Sequence, residues 1–250
     1  MAPDNAFLGF PMAVDESFFG FSQGEPPNQP LWLPDCRLHV KSDRGVLQNA
    51  GAVSRWQDYS GFGRHFAQPT VANQPVWTPN IVNGRPVIRF TSGSSHWMSS
   101  AIPALSGPVT VAIVFVSQAN ENIKGLWAWQ NSQFATGGSA YFLCHKTTDN
   151  FQYYVNATWP AKVALTTGTP YLHIFSWTGS DWKLYVNNDD VRTLLLAQGT
   201  AASGTLMYLG CAYNGYSTMD VAEVWAWGRL LSADEIASLK GAVNAEYALW

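Results

Sequence analysis

Charged residues are scarce in this chain of 250 residues, since Asp, Glu, Lys and Arg together make up only 12% of it, against roughly 25% in ordinary soluble domains. The formal net charge is −3, and no stretch collects Lys and Arg. The chain therefore lacks the basic surface that nucleic acid requires, which excludes nucleic acid as a partner. Hydrophobic residues make up 47%, so the chain can bury the core of one large all-β domain or of two small ones.

Cysteine is also rare, and Cys36, Cys144 and Cys211 lie far apart. Neither a disulfide framework nor a zinc site has this spacing, so we expect buried thiols in a protein made in a reducing cytoplasm. No Lys or Arg precedes Arg37, so the basic start of a signal peptide is lacking. No apolar run is long enough for a membrane span. A role outside the cell would require release by lysis or within a particle.

The patterns that carry catalysis are missing too. The chain has no glycine-rich phosphate loop opening a helix and no Gly-x-Ser-x-Gly nucleophile motif. Its histidines, at positions 39, 65, 96, 145 and 173, stand singly and without the spacing of a metal site. They are more typical of polar strand or loop residues. We predict that the protein is not an enzyme and that it needs no metal or other cofactor.

From Leu31 onward the sequence is a succession of short β-rich runs separated by turns. Val109–Ser117 is almost continuous in β-branched residues, which predicts a central strand, and Asn83-Gly84 predicts a tight hairpin turn. Further strands are predicted at 53–58, 140–145, 151–156, 161–166, 171–177, 181–186 and 205–210. Many short strands at near-regular spacing favour an antiparallel sandwich of the jelly-roll type.

The C-terminal stretch Asp220–Trp250 contains the exception to the β pattern. Val221–Trp227 predicts a strand buried on both faces. Ser232 and Glu235 then have the spacing of a capping box at the start of a helix. The apolar stripe that follows consists of Ile236, Leu239, Val243 and Tyr247. Its three- and four-residue spacing predicts one helix that packs on the sheet.

Residues 1–30 differ from the rest, and we predict them to be an N-terminal arm and linker preceding a sandwich domain over residues 31–250. The arm contains Phe7, Phe10, Phe18, Phe19 and Phe21. It ends in a proline-rich segment typical of extended chain. Either the arm wraps its own domain, or it docks into another chain as an aromatic anchor. Because the linker separates the arm from its own domain, we favour docking.

Several motifs occur in an order that resembles a known family. They are Trp56-Gln57-Asp58, Asn83-Gly84-Arg85-Pro86, the strand at 109–117, Trp177-Thr178-Gly179-Ser180, and Ala222-Glu223-Val224 before the capped helix. Together they make residues 31–250 similar to the laminin-G-like, concanavalin A-like lectin and glucanase family, in the versions found in bacteriophage structural proteins and bacterial surface proteins. The resemblance implies an all-β, antiparallel jelly-roll sandwich of the concanavalin A type with one C-terminal α-helix, preceded here by an extended N-terminal arm.

The resemblance raises the question of a glycosidase, because glycosidases of this fold use paired carboxylates that point into a cleft. Asp220 and Glu223 are three residues apart. Since strand side chains alternate, we expect them on opposite faces, where they form no catalytic pair. For Glu223 the resemblance implies a structural role, satisfying backbone groups or an arginine. Some family members bind calcium through loop carboxylates, and Asp189 and Asp190 would be the place for it, although a plain hairpin turn also explains them.

Two aromatic clusters have the residue types of a sugar site, since rings stack on apolar sugar faces and amides bind hydroxyl groups. The first consists of Trp127, Trp129 and Asn131, and the second of Tyr213, Asn214 and Tyr216. Because Trp127 and Trp129 are two residues apart, their spacing also fits one buried face of a strand. Both interpretations stay open for the tryptophans.

Together, these expectations predict a non-enzymatic structural protein of a virion, in its capsid or its tail. Its arm docks to other virion proteins, and its lectin-like domain is displayed outward, where it adheres weakly to host-surface glycans. Such a decoration protein is made in the host cytoplasm, needs no membrane span and is compatible with a homo-oligomer. The alternative is a free-standing carbohydrate-binding lectin module, and a glycoside hydrolase comes third.

Overall fold

The computed structural model of the protein describes residues 33–102, 107–119, 124–130, 140–147, 150–155, 158–164, 166–178, 182–194, 205–212 and 215–250. The predicted N-terminal arm lies outside the described residues. The strands are β1 (Cys36–Lys41), β2 (Val46–Asn49), β3 (Ala52–Trp56), β4 (Phe66–Ala67), β5 (Val76–Val82), β6 (Arg85–Phe90), β7 (Met98–Ala101), β8 (Val109–Ser117), β9 (Lys124–Gln130), β10 (Ala140–Thr147), β11 (Asn150–Val155), β12 (Thr158–Ala164), β13 (Pro170–Trp177), β14 (Trp182–Val186), β15 (Asp189–Leu194), β16 (Leu206–Leu209), β17 (Cys211–Ala212), β18 (Gly215–Tyr216) and β19 (Met219–Trp227), and the helix is α1 (Ala233–Tyr247).

The strands pair antiparallel and form two layers. In the first layer β19 pairs with β8, followed by β13, β14 and β15, while its other edge pairs with β6 and then with β1. In the second layer β9 lies between β16 and β10, with β11 and β12 beyond, and β7 pairs with β16. A contact between β3 and β5 joins the layers, so the sheet curls around its core. The predicted all-β antiparallel architecture with one C-terminal helix is confirmed.

The central strand β8 shows how the residues create two apolar faces. Val109, Val111, Ile113 and Phe115 belong to the core between the two layers. Ala112, Val114 and Val116 point the other way, into a second apolar cluster that includes the buried residues of α1. All nine residues of β8, and all nine of β19, are buried. A strand that is apolar on both faces needs a cover on each face, and α1 covers the outer one.

Helix α1 begins where the sequence predicts. Ser232 accepts a hydrogen bond from the Glu235 backbone N–H at 3.2 Å, and the Glu235 carboxylate accepts one from the Ser232 N–H at 2.7 Å. This is the predicted capping box. The predicted stripe of Ile236, Leu239, Val243 and Tyr247 is buried. The helix is therefore fixed by its cap and by its apolar face together.

Two of the hairpin turns bear on sequence predictions. Asn83 and Gly84 have φ angles of 47° and 74°, and they connect paired Val82 and Arg85. Positive φ at both central residues is the geometry of a type I′ turn, as the dipeptide predicts. Asn187 and Asn188 form the turn between β14 and β15, and Asp189 opens β15. The hairpin that the sequence offered as an explanation for Asp189 and Asp190 is therefore present.

Two further expectations concern thiols and membranes. Cys36 and Cys211 are buried thiols, and burial raises the pKa of Cys36 to about 12. Within the described residues, no helix combines the length and the apolar character that crossing a membrane requires.

The Glu235 carboxylate makes the stability of α1 depend on pH in the acidic range. Arg229 holds both of its oxygens, at 2.7 and 2.6 Å. The Arg229 guanidinium, followed by the Ser232 backbone N–H, lowers the pKa of Glu235 from 4.5 to about 2. Because the folded-state pKa is the lower one, this contribution to stability is complete above the unfolded pKa and is lost as the pH falls toward the folded pKa.

We therefore predict that Glu235→Gln flattens the acid side of the stability curve. Wild type should lose the Glu235 contribution between pH 4.5 and about 2, and the variant should lack this loss, as measured by thermal unfolding across that window. Asp234→Asn is the matched control, because Asp234 lies in the same helical turn and forms no ion pair among the described residues. Parallel curves for Glu235→Gln and wild type would contradict the prediction.

Candidate functional site

The carboxylates of Asp220 and Glu223 both lie on the helix-covered face of the first layer. The pairing of β19 with β8 shifts register between Val221 and Glu223, which marks a β-bulge. A bulge inserts one extra residue and changes the alternation of side chains beyond it. Asp220 therefore shares a face with Glu223, and the prediction that they project to opposite faces is wrong. Strict alternation fails because the strand is not regular at this point.

Asp220 is fully occupied by polar partners from its own chain. Arg89 Nε and Nη2 donate to its two oxygens at 2.7 and 2.8 Å, and Gln118 Nε2 donates at 2.6 Å. The side chain is completely buried. This bidentate pair ties β6 to β19, since each strand contributes one of its members.

Glu223 is held in the same way by different residues. His39 Nε2 lies 2.7 Å from Oε1, and the Tyr247 hydroxyl donates to Oε2 at 2.7 Å. The His39 ring is stacked on Trp225 with centroids 5.5 Å apart. Burial raises the pKa of Tyr247 well above its ordinary value, which keeps its hydroxyl protonated as a donor. The carboxylate therefore connects β1, β19 and α1, and its partners are a histidine and a tyrosine instead of the expected backbone or arginine.

The first predicted sugar cluster is part of the core. Trp127 and Trp129 are each 1% exposed, and the Trp127 ring packs edge-on against Phe175 with centroids 6.2 Å apart. Neither indole is accessible to a sugar, which corrects the prediction of Trp127 and Trp129 as stacking rings. The alternative interpretation, one buried strand face, is the one that the structure shows. Asn131 lies outside the described residues.

The other predicted contact residues are mostly beyond the described part of the chain. Tyr216 lies in β18 and is partly exposed. Those outside the described residues are Tyr213, Asn214 and the docking phenylalanines Phe7, Phe10, Phe18, Phe19 and Phe21. These assignments stay predictions.

A cleft of about 490 Å³ lies between α1 and the β14–β15 hairpin. Its polar and aromatic lining consists of Lys183, Tyr185, Asn188, Lys240, Asn244 and Trp250. No Asp or Glu is among the described residues that line it. The cleft thus combines aromatic rings, amides and ammonium groups around one concave surface.

The local structure explains why these residues meet. In β14 the side chains of Trp182, Leu184 and Val186 enter the inter-layer core, so Lys183 and Tyr185 point to the outer face, toward α1. On the helix, Lys240 and Asn244 are one turn apart and lie on the same side. The side of α1 next to its buried stripe therefore forms one wall of the cleft, and β14 forms the other wall.

Lys240 connects the two walls. Its ammonium group lies 4.7 Å from the centroid of the Tyr185 ring, a cation–π contact. It also donates to the Asn188 carbonyl oxygen at 3.0 Å, at the tip of the hairpin. These contacts orient the ammonium group at the cleft.

Trp250 supplies the exposed ring of the cleft, with 44% of its surface accessible. Its backbone is anchored by Asn244, whose side-chain Oδ1 accepts from the N–H groups of Leu249 and Trp250 at 2.8 and 3.0 Å. Asn244 Nδ2 donates to the Trp250 carbonyl oxygen at 2.9 Å. Asn244 thus holds the segment after the helix in place beside the cleft.

Gly241 leaves space on the helical wall. A Cβ atom at this position would meet no atom within 4 Å beyond its own helix and chain neighbours. Glycine inside a helix costs about 1 kcal/mol relative to alanine, and at Gly241 no neighbouring side chain or strand requires it. The missing side chain widens the cleft instead.

Sequence reasoning missed this cleft. The four-residue spacing of Lys240 and Asn244, and the alternation of Lys183 and Tyr185 with apolar residues, were the available signals. Neither indicates that the hairpin and the helix lie against each other, because they are distant in sequence. Within the described residues, no group of three His, Cys, Asp or Glu side chains is placed to hold a metal ion.

Neither a known protein-family model nor a curated protein sequence matches this chain. Among solved structures, the fold is similar to the ligand-binding domain of botulinum neurotoxin serotype D in complex with N-acetylneuraminic acid, with a TM-score of 0.62 and 10% identity over 85% of this chain and 52% of that one. A structure of botulinum neurotoxin type C, whose cell entry depends on two ganglioside molecules, has a TM-score of 0.62 and 7% identity over 84% and 51% of the two chains.

A mutant GH54 α-L-arabinofuranosidase soaked with 4-nitrophenyl α-L-arabinofuranoside has a TM-score of 0.59 and 9% identity, over 78% of this chain and 51% of that one. The chain thus spans about half the length of each of these three proteins. At such low identity the likeness shows the fold, a jelly-roll β-sandwich. It leaves the phage type of the predicted family a prediction.

The network around Glu223 yields a stability prediction. Tyr247→Phe removes one hydrogen-bond donor from a buried carboxylate, which should lower the free energy of unfolding by about 1–3 kcal/mol. Chemical denaturation measures the change. Tyr208→Phe is the matched control, because the Tyr208 hydroxyl makes no hydrogen bond within the described residues. Equal stabilities of the two variants would contradict the role of Tyr247.

Proposed function

We propose that this protein is a non-enzymatic, carbohydrate-binding β-sandwich module and that the cleft beside α1 is its binding site. The observation that carries the proposal is the combination of the exposed Trp250 indole with amide and ammonium groups around one concavity. This combination fits the chemistry of sugars.

A pyranose ring presents two kinds of surface to a protein. One face of the ring is apolar and stacks on an aromatic side chain, a part that Trp250 can play. The hydroxyl groups around the ring need hydrogen-bond partners. Exposed Asn188 and the ammonium groups of the two lysines can supply them. A volume of about 490 Å³ lies in the range of small-ligand pockets.

The structural neighbours support the proposal of a carbohydrate-binding module. A serotype D botulinum neurotoxin domain is seen with N-acetylneuraminic acid, and the type C toxin interacts with gangliosides. The fold is therefore used for sugar recognition in other proteins. For this chain the binding itself is our proposal, because fold likeness does not carry over a ligand.

Two features support a role without catalysis. A glycosidase needs two carboxyl groups free to act as acid and as base or nucleophile. Asp220 and Glu223 share a face, but both are buried and hydrogen-bonded to Arg89, Gln118, His39 and Tyr247. The described lining of the cleft contains no carboxylate at all.

The proposal predicts that cleft variants lose glycan binding while they remain folded. Trp250→Ala removes the stacking ring and should weaken binding about tenfold, equivalent to ~1.4 kcal/mol. Gly241→Trp fills the cleft, and it should abolish binding without unfolding the helix, since tryptophan is a better helix former than glycine. A glycan array followed by titration calorimetry measures both effects.

Phe62→Ala is the matched control for these variants. Phe62 is 54% exposed, lies in the glycine-rich turn after β3 and takes no part in the cleft. The site assignment would be wrong if Phe62→Ala reduced binding as much as Trp250→Ala, or if Gly241→Trp bound as wild type does. Absence of any glycan bound by wild type would overturn the function itself.

A second proposal concerns where the module works. We propose that it is displayed on a virion, with residues 1–30 as the arm that docks it to other virion proteins. Sequence observations support this: the Phe-rich arm, the proline-rich linker and the resemblance to phage structural proteins. Display of a glycan-binding domain would give the particle adhesion to the host surface.

Deleting residues 1–24 tests the docking arm. The truncated chain should remain folded and soluble, because the sandwich retains its core, and it should fail to join its assembly in a co-sedimentation experiment with particles. A full-length chain with Phe18, Phe19 and Phe21 changed to serine should fail in the same way. An unfolded truncation would instead show that the arm wraps its own domain, and normal assembly would refute docking through the arm.

A further inference from the structure

We propose that Asn244 is the positioning residue of the cleft beside α1 and that it fixes the Trp250 ring for stacking before a ligand arrives. This role rests on the proposed carbohydrate-binding function, because Asn244 acts through the ring that stacks on the sugar. The observation behind it is that every hydrogen bond that Trp250 makes within the described part of the chain goes to Asn244.

The Asn244 side chain holds Trp250 on both sides of its Cα atom. Its Oδ1 accepts from the Trp250 N–H at 3.0 Å, and its Nδ2 donates to the Trp250 carbonyl oxygen at 2.9 Å. The same Oδ1 accepts from the Leu249 N–H at 2.8 Å. Because the N–H and the C=O of Trp250 are both held, the backbone from which the indole projects has one orientation.

The backbone turn between Asn244 and Trp250 is unfavourable on its own. Ala248 has φ 49° and ψ 57°, the left-handed conformation that usually belongs to glycine at a helix C-terminus. Other contacts must offset the cost that the Cβ atom brings. The Ala248 N–H donates to the Asn244 carbonyl oxygen at 2.9 Å, and Leu249 packs against the apolar cluster under α1. The side-chain bonds of Asn244 complete the turn and extend it to Trp250.

The amide of Asn244 has little capacity left for a ligand. An amide side chain offers two acceptor sites on its oxygen and two N–H donors. In Asn244 the N–H groups of Leu249 and Trp250 occupy both acceptor sites, and the Trp250 carbonyl oxygen occupies one donor. Asn244 lines the cleft, but its hydrogen bonds are directed to its own chain. Its contribution to binding therefore passes through Trp250.

A fixed ring matters because stacking is a weak interaction. Trp250 is 44% exposed, so packing alone does not confine its indole. A ring that the ligand must first immobilise loses part of the stacking energy to the entropy of ordering, whereas a ring held beforehand avoids this cost. Loss of the Asn244 bonds should therefore weaken binding although no group that contacts the sugar is removed.

Fluorine NMR of the full chain tests the positioning without any ligand. The protein is labelled with 5-fluorotryptophan at its 12 tryptophans, and the Trp250 signal is assigned by its absence from Trp250→Phe. In wild type this signal should differ from that of an unstructured indole, and in Asn244→Ala it should move toward the unstructured value. In the control Ser238→Ala, at an exposed position of the same helix outside the described cleft lining, it should stay in place. An unchanged Trp250 signal in Asn244→Ala would refute the inference.

A double-mutant cycle on glycan binding tests whether Asn244 acts through the ring. The best glycan of wild type on the array is titrated calorimetrically against Asn244→Ala, Trp250→Ala and the double variant. We expect Asn244→Ala to weaken binding at least about threefold. The double variant should bind no more weakly than Trp250→Ala, since two residues that act through one group have non-additive effects. Additive losses would show that Asn244 contacts the sugar directly, which would overturn its role as a positioning residue.

Ala248→Gly separates the positioning of the ring from the stability of the helix end. Glycine adopts the left-handed conformation of residue 248 without the cost that alanine carries, so Ala248→Gly should restore the melting temperature that Asn244→Ala lowers. Asn244→Ala combined with Ala248→Gly should therefore melt close to wild type and still bind more weakly than Ala248→Gly alone. Equal binding by these two variants would mean that Asn244 serves only the stability of the helix.

The outcomes separate this inference from the proposed function. If Trp250→Ala weakens glycan binding and Asn244→Ala does not, the sugar site stands and the role of Asn244 is refuted. If both variants weaken binding and the Trp250 signal moves only in Asn244→Ala and not in Ser238→Ala, the sugar site and the positioning role both stand. If wild type binds no glycan, the sugar site and the role of Asn244 in it fall together.

Discussion

The structure depends on one constraint, which is that β8 and β19 are apolar on both of their faces. A strand of this kind is stable only between two covers, since apolar area left in water costs about 25 cal/mol per Å². The second β layer provides one cover. The single helix α1 provides the other, and its capping box and buried stripe fix where it begins and which side it presents. Because α1 covers the middle of this layer, a cleft remains between the helix and the β14–β15 hairpin.

The outer face of the first layer is held by buried carboxylates as well as by apolar packing. Because of the bulge in β19, Asp220 and Glu223 both lie on this outer face. Asp220 pairs with Arg89, and Glu223 is hydrogen-bonded with His39 and Tyr247. A buried carboxylate is tolerated only with its partners in place. These contacts therefore specify how β1, β6 and α1 sit on β19.

The many aromatic residues of the chain serve two different ends. Large rings such as Trp127 and Trp129 fill the space between the layers, where they add area and volume to the core. Trp250 is outside the core and half accessible at the edge of the cleft. A surface ring surrounded by amides and lysines has the features of a binding site, whereas the same ring type inside the sandwich contributes packing. Burial, more than residue type, distinguishes these roles.

Local sequence patterns determined the strands, the type I′ turn at Asn83-Gly84 and the capped helix from Ser232, because each depends on neighbours a few residues away. They also indicated the jelly-roll class. The tertiary structure alone decided that the bulge places Asp220 and Glu223 on one face, that Trp127 and Trp129 are buried, and that Lys183 meets Lys240 and Trp250 across a cleft. Those outcomes depend on register shifts and on contacts between distant segments, which no local periodicity encodes.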